Sequence, residues 1–284
     1  MQKKLDKVLK KIEQHYDTLI LQTDSSNNIL QSIIRAAFAK NYEFNCVCNN
    51  LNDIQDAFFL MASLRGICED LISIKYLKEK ILIDREQLIS LLVQKETFEG
   101  IIVQRSFFKQ NKPEQIILDV DDAEFQMGTL STQIKNILKK NGLKGDKEFP
   151  SVAQMATDTK LFKLYDYLYY ATSKIVHFTP GHLMKLGWAD SITSTTFKFS
   201  TKNFRKYYYD FCSYYAAFLF IEFYKAFKKD LGLEKILKTE INEITQILAD
   251  QLRMPEIVTF EECNIKPPSI IIQLLLKSTH RLSK

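Results

Sequence analysis

The run Ala57-Phe58-Phe59-Leu60-Met61-Ala62-Ser63-Leu64-Arg65-Gly66-Ile67-Cys68-Glu69 decides how this chain folds. At 100° per residue its apolar side chains point in almost every direction, which suits a helix lying in a core rather than on one. The pattern predicts a helix over 53–80. Phe58, Met61, Arg65, Glu69, Ile72 and Tyr76 form one stripe, and Leu60, Leu64, Ile67, Leu71 and Ile74 form the opposite one. Arg65 and Glu69 interrupt the first stripe at a spacing that lets them meet. Burying charges costs on the order of several kcal/mol each unless they are paired. The pair is therefore either an internal salt bridge that fixes packing or the charged floor of a cleft.

Outward from this helix the chain keeps the same character. Leu5, Val8, Leu9, Ile12, Tyr16 and Leu19 fall at helical spacing and predict an amphipathic helix over 3–22. Lys3, Lys4, Lys7, Lys10 and Lys11 cover its outer side, as a solvated face or a nucleic-acid patch. Further helices are predicted over 28–48, 84–110, 124–140, 151–178, 202–230, 233–252 and 268–281. Polar breaks separate them at Asp24–Asn28, Asn49–Asp53 and Asn141-Gly142, with an irregular stretch over 253–267. Only 186–200, with the β-branched run Ser191 to Ser200, reads as a short hairpin or extended loop. The expected fold class is all-α: a multi-helix bundle of about eight or nine helices, read as one helical domain over 1–284 with a core at 50–230.

Composition agrees. The 284 residues include only eight glycines and six prolines, too few for a turn-rich β architecture. The net charge of +5 is mild and spread along the chain, and lysine far outnumbers arginine, so phosphate recognition is permitted but not advertised. The five cysteines, Cys46, Cys48, Cys68, Cys212 and Cys263, contain no CxxC pair and no neighbouring histidine, so reduced core thiols are expected rather than zinc. The N-terminus has no apolar signal segment, and the charge-free aromatic run Phe211 to Ile221 is too short for a bilayer. A cytoplasmic protein without metal or cofactor is the expectation. No Gly-rich phosphate loop, GxSxG or HExxH motif is present.

The helix predicted over 151–178 carries a second anomaly. Leu164, Leu168, Ala171 and Ile175 make its apolar stripe, while Tyr165, Tyr169, Ser173 and His177 line up nearly opposite. Polar groups on two core helices are cheapest when they satisfy one another. The two anomalies together predict that Arg65, Glu69, Tyr169, Ser173 and His177 converge on one internal pocket. There His177 would act as general acid/base, Glu69 would orient it, and Arg65 would bind an anionic group such as a phosphate.

The segments Leu64-Arg65-Gly66-Ile67-Cys68-Glu69, Tyr76-Leu77 and Tyr169-Tyr170-Ala171-Thr172-Ser173-Lys174-Ile175-Val176-His177 also carry a resemblance. They look like an uncharacterised bacterial helical family with an Arg-x-x-x-Glu helix and a later Tyr-x-x-x-Ser-x-x-x-His helix, over roughly residues 50–225. More distantly the pattern is similar to the HEPN superfamily of helical ribonucleases, common in phage defence and toxin–antitoxin systems. The HEPN signature, an arginine, four to six residues and then a histidine, does not occur here, so Arg65 and His177 would have to meet from separate helices. The resemblance implies a bacterial defence or toxin-type effector acting on RNA or another phosphodiester, a metal-independent ribonuclease-like hydrolase. The competing expectation is a non-catalytic helical module that senses a ligand or binds a partner protein or a second copy. The aromatic helix around Tyr207 to Tyr215 would then be an interface instead of core.

Overall fold

The computed structural model describes residues 1–20, 28–50, 57–143, 149–177, 179–184, 186–188, 195–196, 198–260 and 265–282. Among them are eleven helices: α1 (Gln2–Ile20), α2 (Ile29–Asn49), α3 (Ala57–Lys80), α4 (Arg85–Asn111), α5 (Ala123–Lys140), α6 (Val152–Asp158), α7 (Phe162–Val176), α8 (Pro180–Met184), α9 (Arg205–Phe227), α10 (Lys238–Ala249) and α11 (Ile270–Leu282). The fold is all-α, as the periodicity predicts. Among the described residues the one sheet element is a pair of two-residue strands, β1 (Gly187–Trp188) and β2 (Lys198–Phe199), antiparallel with Gly187 opposite Phe199. A Cβ at Gly187 would lie 2.9 Å from the edge of the exposed Phe199 ring, so a larger residue there would make that ring turn aside. Half of the β-branched run expected to form a hairpin, residues 191–194 and 197, the break at Asp24–Asn28 apart from Asn28, and Cys263 lie outside the described residues.

The helix expected over 151–178 is two helices, and the reason is local. Lys160 N–H bonds to the Thr157 carbonyl at 3.1 Å and Leu161 N–H to the Ala156 carbonyl at 2.8 Å. These are the two crossed bonds of a Schellman end, with Lys160 in the left-handed region at φ 63°. The same device closes α5, where Gly142 takes φ 72° and bonds to Lys139 while Leu143 bonds to Leu138. Glycine announces that stop in the sequence; lysine at the equivalent place does not. Lys160→Gly should relieve the left-handed backbone and raise stability by about 0.5–1 kcal/mol, read as a higher urea midpoint.

The chain clusters into two compact units. The first comprises 1–21, 35–71 and 163–284. Its core is built on α9, buried at fifteen positions that include Phe211, Leu219, Phe220, Phe223 and Phe227. The aromatic helix is thus core, because its apolar residues on every face are covered from every side. Leu5, Val8, Leu9 and Ile12 of α1 join this core, and the α1 lysines face solvent, Lys10 paired with Asp6 and Lys11 with Glu243 of α10. A polar seam crosses it: Asn45 Nδ2 donates to the Ala216 carbonyl at 3.1 Å, and the Ser213 hydroxyl donates to Asn49. Buried amides need such partners.

The second unit comprises 22–34 and 72–162. There α4 packs on α5, through Leu88, Ile89, Leu91 and Ile101 and through Leu130, Ile134, Ile137 and Leu138. Asn141 closes the start of α4 to the end of α5, its amide oxygen accepting from the Leu82 and Ile83 N–H groups at 2.8 and 2.9 Å.

Candidate functional site

The site forms in the first unit, where the middle of α3 meets the last turn of α7. Arg65 Nε donates to Glu69 Oε1 at 2.7 Å, one helical turn away. The guanidinium carbon lies 4.6 Å from the centre of the Tyr169 ring, a cation–π contact. One terminal nitrogen, Nη1, reaches His177 Nε2 at 3.4 Å. Since the guanidinium only donates, this contact is a hydrogen bond only in the tautomer whose Nε2 carries the lone pair. Arg65 is thus held at three points, and Glu69's hydrogen bond strengthens its hold on its proton. Tyr165 stands beside Tyr169 with ring centres 5.4 Å apart. Burial first, then the nearby Glu69 carboxylate, pushes the Tyr165 hydroxyl up, so it stays protonated as a donor.

The far side of α7 fixes this orientation. Leu168, Ala171 and Thr172 are buried. Tyr167 lies nearly parallel to Phe211 of α9, and its hydroxyl donates to the Pro255 carbonyl at 2.8 Å. With that face anchored, helical spacing turns Tyr165, Tyr169 and His177 towards α3. The helix end is closed by His177 N–H on the Ser173 carbonyl and by the Thr179 hydroxyl on the Lys174 carbonyl, both at 2.8 Å. Beyond it α8 returns to α3, with the His182 ring 5.9 Å from Phe58 and nearly parallel to it.

Four of the five expected residues, Arg65, Glu69, Tyr169 and His177, meet in one cluster. Ser173 is on the same face, but its hydroxyl turns back to the Tyr170 carbonyl. Two expectations need correcting. The cluster is not an internal pocket: Arg65 and Glu69 side chains are 24% and 28% exposed, and His177 is exposed. Paired charges need no enclosure, and His177 sits one residue past the end of α7. Glu69 also orients Arg65 instead of His177, because i, i+4 on one helix is a shorter reach than across to α7. Tyr165, which the sequence places on the same stripe but not in the converging set, joins the cluster beside Tyr169, and their i, i+4 spacing is its signal.

Other features stand apart. A cleft of about 500 Å³, lined by Tyr207, Asp210, Tyr214, Arg253 and Glu256 among others, includes none of the five residues. Among the described residues no group of three His, Cys, Asp or Glu is arranged to hold a metal, and no helix is long and apolar enough to cross a membrane. Cys48, Cys68 and Cys212 are buried free thiols, and Cys46 is half-buried and free.

A family model described as a family of unknown function (DUF5677) matches residues 27–194, more than half of the chain. All five expected site residues lie inside the matched segment. No curated protein and no solved structure matches the chain.

Proposed function

The chain belongs to DUF5677, a family of unknown function, and from the cluster inside that family's segment we propose that it acts on a phosphodiester, with RNA as the substrate class. The observation that carries this reading is the Arg65–His177 contact, a fixed cation against an exposed imidazole. A neutral ring with a free Nε2 lone pair is the form that takes a proton from an attacking hydroxyl. Arg65 beside it is the donor set that stabilises charge gathering on a phosphoryl group, and Glu69 and Tyr169 hold it in place before substrate arrives. Substrate displaces the long Nη1–Nε2 contact, since both partners turn to the phosphate and its nucleophile. The distant likeness to HEPN ribonucleases supports the same pairing, here assembled from two helices. A role as a bacterial defence or toxin-type effector follows from that likeness.

Arg65→Lys tests the reading. Lysine keeps the charge but cannot donate to Glu69, cover the Tyr169 ring and reach His177 at once. Expressed beside the wild type, it should leave total RNA intact where the wild type degrades it, and cut the purified protein's cleavage by about 10²–10³-fold, the scale of one lost transition-state donor. Full cleavage by Arg65→Lys would reject the phosphate-binding role. The second reading, a non-catalytic module, is favoured by the apolar exposure of α11 and predicts no RNA turnover by the wild type.

A further inference from the structure

Helix α11 is inside out. Its half-buried residues are polar: Gln273, which donates to the Pro268 carbonyl at 2.6 Å, and Lys277, which donates to the Gln251 carbonyl at 3.1 Å. Ile270, Ile271, Ile272, Leu274, Leu275 and Leu276 are between 50% and 70% exposed. At 100° per residue Ile271 and Leu275 lie opposite Gln273 and Lys277, with Ile272, Leu274 and Leu276 flanking them. A helix apolar over so wide an arc is ordinarily covered.

We propose that a second copy of this chain covers it, α11 packing against its symmetry mate to make a twofold dimer. Charge argues for a like partner. No charged side chain lies between Ile270 and Leu276, so the surface meets its own copy without like-charge repulsion, as a self-complementary contact requires. Area argues the same way. The six side chains expose on the order of 600 Å² of apolar surface, the upper end of what a typical monomer leaves bare, and a symmetric pair that covers them removes up to about 1,200 Å² from water, the threshold of a stable interface. A lipid surface fits less well: interfacial helices put lysine and arginine along the polar face toward headgroups, and Lys277 is turned inward to a carbonyl.

The test is the solution mass of the full-length protein by light scattering. The wild type should weigh twice the 33.2 kDa of the chain, and Leu275→Glu and Leu275→Lys should each be monomeric with unchanged helicity. Mixing the two variants should restore the dimer, because opposite charges then face each other across the axis. A monomeric wild type overturns the proposal, and so does a dimer that survives both substitutions. A monomer that co-sediments with phosphatidylglycerol vesicles overturns it in favour of a lipid surface. The outcome does not depend on RNA cleavage.

Discussion

On the proposed phosphodiester reading, His177→Ala should lower RNA cleavage by about 10²–10⁴-fold, the usual contribution of a positioned general base. The ring's Nε2 faces Arg65 at 3.4 Å and its surroundings are open, so a hydroxyl bound at the guanidinium is within reach of the lone pair. Alanine leaves the Glu69 hydrogen bond and the Tyr169 ring contact of Arg65 in place and removes the imidazole proposed as the proton acceptor. Because His177 is exposed and lies past the last residue of α7, the substitution should change folding stability by no more than about 0.5 kcal/mol. Loss of activity with an unchanged urea midpoint separates chemistry from folding. Imidazole added to the variant should restore part of the rate, which a merely structural role for His177 does not predict. A variant as active as the wild type removes His177 from the chemistry.

Phe211→Ala should produce the largest loss of stability, about 3–5 kcal/mol, the range for emptying a buried aromatic site. Phe211 is fully buried in α9, with its ring 4.5 Å from Tyr215, 6.0 Å from Tyr207 and 6.4 Å from Tyr167. That loss is a large share of the ~5–15 kcal/mol by which folded domains exceed their unfolded chains. The site should suffer with it. Tyr167 rests on Phe211, and α7 owes its orientation to that contact, so the empty volume frees the helix that carries Tyr169 and His177. Urea unfolding gives the stability change, and cleavage measured well below the midpoint gives the effect on the site. A stability loss below about 1 kcal/mol would mean that the cavity closes at little cost and that α7 is held elsewhere.

Helix periodicity is a local property, and it was legible wherever a stripe ran long enough. The helical spacing of Leu5 to Ile12 and the aromatic run of α9 correspond to buried faces, whereas in the apolar run of α3 Ala57, Phe58, Met61 and Leu64 are buried and Phe59 is 59% exposed. The two polar stripes were legible in the same way, since Arg65 to Glu69 and Tyr169 to His177 are each spaced to share a face. Helix ends were legible where glycine marks them, as at Gly142, and illegible at Lys160, where a lysine takes the left-handed turn that residue statistics reserve for glycine.

The sequence by itself determined that the chain is helical, which faces of its helices are apolar, and that two helices carry polar residues their own packing does not require. Tertiary structure alone decided that those residues meet at a partly open surface, that Glu69 serves Arg65, and that α11 turns its polar side inward. The physical reason is that a face is set by neighbours one turn away along the chain. Exposure and the partner of a long side chain are set by where another helix, distant in sequence, is anchored; here Tyr167 on Phe211 fixes what His177 can touch.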